Sequence, residues 1–285
     1  MDLNERIDSR VDSLTKSEKR LAAYLQRNLD EAAFFSAADL AAQLGLSEAT
    51  VTRFAQSLGF SGFSELRRYL QALFRDKVSH ASRLQKRLAE LSTDDHILEQ
   101  AIRAEIQYLT DAIRTLSQPA FDQAVRLVCN ARRVFVYGLS GSAMIAQILA
   151  HRLRRFGLDV IPITQSGREV CEELLMLEQD DVFVAMLFFN LSHVTVSTLE
   201  YAKHRGCQVI LLTDTLGPYL GEHVDVLLEA HRGSVMAFHS LVVPMAVIQA
   251  LVLAVAEVDE RKSMDTLNRL DDIRDRLGFV ASVRV

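Results

Sequence analysis

The sequence predicts an α/β protein in two parts: an all-helical module over residues 1–77 and, after a linker over 78–95, an α/β domain over 96–285. Three observations predict this. Up to residue 77 the apolar residues recur three or four apart, the helical spacing, with no β-rich run. Residues 78–95 are polar and charged, with little core-forming content. Beyond 96, five short runs (RRVFVYG, LDVIPI, DVFVAMLFF, CQVILLT and VDVLLEA) alternate with helical stretches that end in glycine. That alternation predicts a mostly parallel five-stranded sheet flanked by helices on both faces.

In the first part, Leu21, Tyr24 and Leu25 lie at helical spacing, and Phe34 and Phe35 close a small core. The stretch from Ser36 to Phe63, SAADLAAQLGLSEATVTRFAQSLGFSGF, then has the pattern of a helix-turn-helix. Leu40 and Leu44 share one face of a first helix, and Val51, Phe54 and Leu58 one face of a second. Gly45 takes the left-handed conformation that ends the first helix, and Leu46 plugs the corner. Ser47 caps the second helix, with Glu48 favourable near its positive end.

Once that apolar face is set, Ala49, Thr52, Arg53 and Gln56 point outward, with Thr50 on the flank. A small residue, a hydroxyl, a guanidinium and an amide can approach base edges and phosphates in a major groove. Arg53, Arg67 and Arg68 are the phosphate candidates, because they lie in or beside the reading unit. Gly59 and Gly62 let the following backbone turn tightly, in a position to present amides to a phosphate, and Leu66, Tyr69, Leu70 and Leu73 resume helical spacing. A helical hairpin with a merely solvated polar face fits the same residues. So does a solvated face for the further basic residues Arg75, Lys77, Arg83, Lys86 and Arg87.

Composition narrows the classes. The chain has 285 residues, 49% of them hydrophobic and 24% charged, in the range of a soluble globular protein with a sizeable core. No run approaches the roughly 18 uninterrupted apolar residues of a membrane span. The start, MDLNERIDSR, carries acids and lacks the apolar core of a signal peptide, so a cytoplasmic location is expected. The net charge of −5 argues against indiscriminate coating of nucleic acid, though a local basic patch matters more than the sum. Three cysteines, Cys129, Cys171 and Cys207, show no paired ligand spacing and read as buried thiols, with no metal site and no disulfide framework.

The second part opens with a long helix from Ile97 through Leu116, and Pro119 starts another. The first strand then runs into Gly138-Leu139-Ser140-Gly141-Ser142-Ala143, which opens a helix closed by Gly157. Glycines admit a close backbone, hydroxyls donate, and a helix N-terminus supplies amides and positive potential, a combination that suits a phosphate. Any α/β unit also needs a tight turn at this place. The spacing is not GxGxxG, and LDVIPI does not end in an acidic residue for a ribose, so no dinucleotide or other cofactor is expected. Two helices, Ser240 to about Val258 and Lys262 to about Leu277, finish the chain.

The turn from Gly138 to Ser142, the stretch GREVCEELLMLEQDDVFVAML, and EYAKHRGCQVILLTD followed by GPYLGEHVDVLL resemble a SIS (sugar isomerase) domain. Preceded by LAAQLGLSEATVTRFAQSLGFSGF, this resembles the RpiR family of bacterial transcription regulators, over about residues 3–280. The resemblance implies an α/β chain with a SIS-type domain of five mostly parallel strands, homodimeric or homotetrameric. It also implies a phosphosugar or related effector and double-stranded operator DNA as partners, with no membrane. Ser140 and Ser142, with Gly138 and Gly141, match the first phosphate-binding turn. The second family motif, close to SxSGxT, falls at Leu187-Phe-Phe189-Asn190-Leu-Ser192.

There the chain departs from the pattern. Leu187 and Phe189 stand where serines are expected, and Asn190 replaces the glycine. Asn190, Ser192 and Thr195 remain as candidate ligand-binding groups, with His193 beside them; alternatively the second half-site has become core. His231, His239 and Ser240 sit where related domains complete a pocket from a neighbouring subunit, although the histidines lack the i, i+4 spacing of a helical metal pair. Glu169, Glu172 and Glu173 offer a general base or a solvated helix face. The expected function is a regulator, not an enzyme, whose α/β domain senses a sugar-derived metabolite. The alternatives are a sugar-phosphate isomerase or lyase, and a regulator whose α/β domain only dimerises.

Overall fold

The computed structural model describes the chain apart from residues 1–2, 12–13, 29–31, 34, 78–80, 82–83, 86–87, 90–95, 189–192, 215, 233–238 and 280–285. Phe34, Arg83, Lys86, Arg87, Phe189, Asn190 and Ser192 therefore lie outside the described residues, as do the side chains of Leu73, Arg75, Lys77 and His193. The chain divides into two compact units: residues 1–100 with 233–239, and residues 101–232 with 240–285.

The first unit is helical: α1 (Leu3–Asp8), α2 (Lys16–Arg27), α3 (Ala37–Leu44), α4 (Glu48–Ser57) and α5 (Phe63–Lys77). Thr15 and Ser36 each close a capping box, with Glu18 and Asp39 reaching back to the cap amide, which satisfies donors that a helix start leaves open. Leu21, Leu25, Leu40, Val51, Phe54, Leu58, Leu66 and Leu70 are all fully buried, and α4 packs against α2, α3 and α5. Leu44 and Leu46 are only half-buried, at the margin of that core. Helix α1 was not expected, being shorter than the window in which periodicity is legible. Its Leu3 and Ile7, one turn apart, are buried.

Three arginines of this unit close helix ends. Arg20 Nη2 donates to the Leu44 carbonyl at 2.9 Å, Arg6 Nη1 donates to Leu58 O at 3.4 Å, and Arg10 donates to Ser57 O. The final carbonyls of α3 and α4 lack intrahelical partners, so these cations both satisfy acceptors and sit at the negative helix ends. Arg6 also lies 5.0 Å from the Phe60 ring centre and 5.4 Å from that of Tyr69.

The second unit, with α6 (Ile97–Thr115) leading into it, continues α7 (Gln118–Asn130), β1 (Val134–Gly138), α8 (Gly141–Arg154), β2 (Val160–Ile163) and α9 (Glu169–Leu175). Then come β3 (Val182–Met186), α10 (His193–His204), β4 (Gln208–Thr213), α11 (Gly217–Leu220), β5 (Val226–Glu229), α12 (Val242–Val258) and α13 (Glu260–Arg276). The five strands pair in the order β2-β1-β3-β4-β5, every pair parallel. Strands β1 and β3 are buried at all five positions, as strands covered on both faces must be. All five expected strands are present, and the sheet is wholly parallel.

At the amino edge of the sheet Asp181 is fully buried. It accepts from Arg132 Nε and Nη2 at 3.0 Å each, from Arg133 Nη2 at 3.2 Å, and from the Glu178 amide at 2.9 Å. Asp181 also holds the Arg132 guanidinium above its ordinary pKa, mainly through that hydrogen bonding. Helix α12 buries Val243, Val247, Leu251 and Val255, and among the described residues no single helix is long and apolar enough to cross a membrane. The cysteines differ from expectation. Cys207 is buried, with its thiol pushed up to about 11 chiefly by burial; Cys129 is half-buried; Cys171, on the outer face of α9, is exposed.

Candidate functional site

The turn between α3 and α4 forms as its residues dictate. Gly45 has φ 63°, ψ 42°, the left-handed region where a side chain is disfavoured. Ser47 caps α4 by accepting from the Thr50 amide at 3.2 Å, and its Oγ lies 2.9 Å from Thr50 Oγ1. The inward face of α4 is Val51, Phe54, Ala55 and, at its end, Leu58. The outward face carries Ala49, Arg53 and Gln56, all exposed, with Thr50 and Thr52 half-buried at its margins. Arg53 Nη2 rests 3.5 Å from Thr50 Oγ1, so the guanidinium stays over the outer surface with Ser47 and Thr50 at its foot.

Beside this face, Arg68 is exposed and Arg67 half-buried. The Ser61 amide donates to Glu65 Oε2 at 2.6 Å, closing the start of α5. That amide is used inside the fold, as is the Gly59 amide, which donates to the Gln56 carbonyl at 2.9 Å. The same hydrogen bond is the first cause holding the Glu65 carboxyl below its ordinary pKa, with Arg68 and Arg6 adding smaller effects.

In the second unit the strand order decides where a ligand can lie. The chain crosses one way from β1 to β2 and then returns past β1 to β3 on its other side, so the loops leaving β1 and β3 part company at the carboxyl edge between those strands. Gly138 pairs with Met186 at that edge, which brings the Gly138–Ser142 turn beside the loop that begins at Leu187. A Cβ on Gly138 would fall 2.7 Å from the Ser142 carbonyl oxygen, so only glycine fits there. Gly141, by contrast, has open space around it. Ser140 has φ 54°, ψ −124°, a conformation that side chains rarely adopt, and it is exposed together with Gly141 at the head of α8. Ser142 is half-buried.

The β3 side is more apolar. Leu187 is only 6% exposed, and its amide donates to the Leu212 carbonyl at 3.0 Å. Thr195, on the first turn of α10, is also buried, at 3% exposure. Glu169 and Glu172 are exposed and Glu173 half-buried, which matches a solvated helix face. His231 is exposed, and Ser240 donates to Glu105 Oε2 at 2.6 Å. Among the described residues no group of three or more His, Cys, Asp or Glu could hold a metal ion.

Sequence reasoning missed a buried ion pair at this edge. Arg232, just past β5, is 6% exposed, and its Nε donates to Asp214 Oδ2, just past β4, at 2.9 Å. Its Nη2 lies 2.9 Å from the same oxygen, off the hydrogen-bonding direction, and contributes as a charge. The guanidinium carbon sits 4.1 Å from the centre of the Phe188 ring, the residue after Leu187. Burial pushes the Arg232 guanidinium down from its ordinary pKa, and Asp214 opposes that shift. An Arg and an Asp 18 positions apart, each just past the end of a different strand, leave no signal in sequence spacing.

Residues 1–77 match the helix-turn-helix domain of the rpiR family, and residues 127–254 match the SIS domain. This chain belongs to the RpiR family of transcription regulators. It is similar to the HTH-type transcriptional regulator HexR of Pseudomonas aeruginosa, with 28% identity over 281 residues, 96% of this chain and 95% of that protein. An HTH-type transcriptional regulator of Clostridium perfringens is 27% identical over 217 residues, 75% of this chain and 76% of its own length. Among solved structures, the sugar isomerase domain of an RpiR transcription factor from Sphaerobacter thermophilus aligns with TM-score 0.59 and 25% identity, covering 62% of this chain and 99% of that one. The Vibrio vulnificus NanR protein complexed with ManNAc-6P aligns over 97% of this chain and 99% of its own, with TM-score 0.68 and 21% identity, a likeness of fold. The chain is thus a regulator with a helix-turn-helix and a SIS domain.

Proposed function

We propose that this RpiR-family regulator reads operator DNA through α4 and adjusts its grip on binding a phosphosugar or a related sugar-derived anion in the SIS domain. On this reading Ser47, Ala49, Thr50, Thr52, Arg53 and Gln56 meet bases and phosphates in the major groove, and Arg67 and Arg68 take flanking phosphates. The effector lies at the carboxyl edge between β1 and β3, held by Gly138, Ser140, Gly141 and Ser142. Asn190 and Ser192 are further ligand-binding groups on this reading, and Thr195 braces the head of α10. Subunits pair so that two recognition helices face successive half-sites. The effector favours one arrangement of the pair, and it alters operator affinity only to the extent that the two arrangements bind it differently. The protein acts in the cytoplasm, where its DNA partner is, and turns over no substrate.

The observation that carries the sensing role is Ser140: an exposed hydroxyl on a positive-φ backbone, at a helix head and at the sheet's switch point. Such strain, of order 1–3 kcal/mol, persists where it serves a site. The complex of NanR with ManNAc-6P, on the same fold, supports the ligand class. Ser140→Gly is expected to raise stability, by about 1 kcal/mol, while removing the hydroxyl and abolishing the effector response. Chemical denaturation with operator titration in the presence of phosphosugars checks both. A destabilised variant, or one that still responds in full, would count against the site.

One observation favours a second reading, in which the SIS domain only joins subunits. Leu187 stands at the first serine position of the second family motif and is core. A thermal-shift panel of phosphosugars, sugar acids and amino sugars separates the two. An effector present at 100 times its Kd stabilises the fold by about 2.7 kcal/mol, whereas a joining-only domain responds to no member of the panel.

A further inference from the structure

Strand register puts three unlike side chains in one row at the carboxyl edge of the sheet. Thr213 pairs with Glu229, and the Leu187 amide, donating to Leu212 O at 3.0 Å, carries the β3–β4 ladder one rung further. Met186, Leu212 and Leu228 belong to the core under one face of the sheet. The next residue of each strand therefore points to the other face, on which α10 lies. Leu187, Thr213 and Glu229 stand side by side there: an apolar group, a hydroxyl and a carboxylate.

The two polar members of the row are not served by the fold. Thr213 is fully buried, and its Oγ1 has no hydrogen-bond partner among the described residues. Glu229 is half-buried, and among the described residues no hydrogen bond or ion pair reaches its carboxylate. Polar groups taken from water are ordinarily hydrogen-bonded, so two adjacent exceptions at the edge where α/β sheets take their ligands call for a partner from outside. That partner must donate, because a carboxylate only accepts. The pair is also held in place. Asp214 and Arg232, just beyond Thr213 and Glu229, tie the ends of β4 and β5 together at 2.9 Å. A Cβ on Gly217 would fall on the Glu229 carboxylate, so the glycine leaves that carboxylate its position.

We propose that Thr213 and Glu229 read the hydroxyl-bearing end of the effector, opposite its phosphate. The effector is then a phosphorylated sugar with free hydroxyl or amino groups at that end, and phosphorylated sugar acids are rejected. This deepens the proposed function by naming the effector's class, and it rests on the effector site at the Gly138–Ser142 turn. The spacing suits it. Parallel strands lie about 4.8 Å apart, so β4, two strands from β1, is about 10 Å across the sheet from that turn. An extended phosphorylated hexose bridges this gap, with its phosphate on the turn and its ring passing Leu187. Vicinal hydroxyls then donate to the Glu229 carboxylate, and Thr213 Oγ1 bonds the same end. A second negative charge placed there would meet Glu229 with no cation between them.

The test is calorimetric titration of the full chain with matched probes: phosphorylated hexoses and hexosamines against the phosphorylated hexonic acids. The unaltered protein is expected to bind a hexose or hexosamine phosphate at least about 10-fold more tightly than the matching acid. Glu229→Gln is expected to weaken the sugar about 10-fold and to strengthen the acid, erasing the preference. A loss of fold would weaken both, so the opposite movement of the two probes marks a reading role. Gly217→Ala tests the same carboxylate without altering it, since the new methyl displaces the flexible end of Glu229, and the same loss of preference is expected. Thr213→Val is expected to weaken the sugar roughly 5-fold with no fall in Tm, because it removes a hydroxyl that no described residue serves. An acid bound as tightly as its sugar, or a preference that survives both Glu229→Gln and Gly217→Ala, overturns the proposal and leaves the effector site standing. Failure of every probe to bind the unaltered protein overturns the effector site, and the row with it.

Discussion

Asp214→Ala is expected to cost the SIS domain roughly 3–5 kcal/mol, a large share of the 5–15 kcal/mol that holds a domain together. Its partner Arg232 is only 6% exposed, so a guanidinium that has lost this carboxylate gains little water in exchange, and the Phe188 face 4.1 Å away cannot replace the lost charge. Asp181 is a contrasting case. Asp181 has more partners, but Arg132 and Arg133 are 43% and 15% exposed on their side chains and keep Glu178 and the Met176 carbonyl as further partners after Asp181→Ala, so that loss is smaller. The pair's net worth is a separate matter. Replacing both members, as Asp214→Leu with Arg232→Met, is expected to recover most of the loss, because two buried charges are desolvated together in the unaltered protein. Urea denaturation of Asp214→Leu, Arg232→Met and the double variant closes the cycle. A single variant within about 0.5 kcal/mol of the unaltered protein would mean that the pair is solvated.

The largest functional effect is expected at Arg53. Arg53→Ala should weaken operator binding by about 1–3 kcal/mol, or roughly 5- to 150-fold, with little change in stability, since the side chain is exposed and approaches Thr50 only at a long 3.5 Å. The salt dependence distinguishes its role. A phosphate contact lowers the slope of log K against log salt by about 1 and acts on all sequences alike, whereas a base contact leaves the slope and relaxes specificity at one position. Arg20 serves as the control of opposite character. It closes the end of α3 on Leu44 O, so Arg20→Ala is expected to lower stability first and binding only through it. Unchanged affinity and unchanged slope for Arg53→Ala would remove the central contact of the proposed interface.

The helix-turn-helix was legible because its determinants are local. Leu40, Val51, Phe54 and Leu58 lie on one periodic pattern, Ser36 and Ser47 cap within three residues of their partners, and Gly45 needs only its own dihedral freedom. The sheet was legible for a similar reason, since five apolar runs bounded by glycines can be read one at a time. Strand order was not. That β1 lies between β2 and β3 is a property of long-range pairing, and it is what makes the Gly138–Ser142 turn a switch-point turn instead of an ordinary one. The hydroxyl of Ser140 is legible in the sequence, whereas its positive φ is a property of the folded backbone. The Asp214–Arg232 pair was invisible, because two residues that end different strands meet only once the sheet is assembled. Thr195 could be placed on a helix face by spacing, but its burial depends on what that face packs against.

One measurement reaches the central claim most directly. Sites selected by the full-length protein from random duplex DNA are titrated by fluorescence anisotropy at physiological salt, with and without the phosphosugar panel. A two-fold symmetric site is expected, bound at least about 10³ times more tightly than unrelated DNA, with an affinity that shifts roughly 5- to 150-fold with one panel member. Equal affinity for selected and unrelated DNA, unmoved by every ligand, would contradict it.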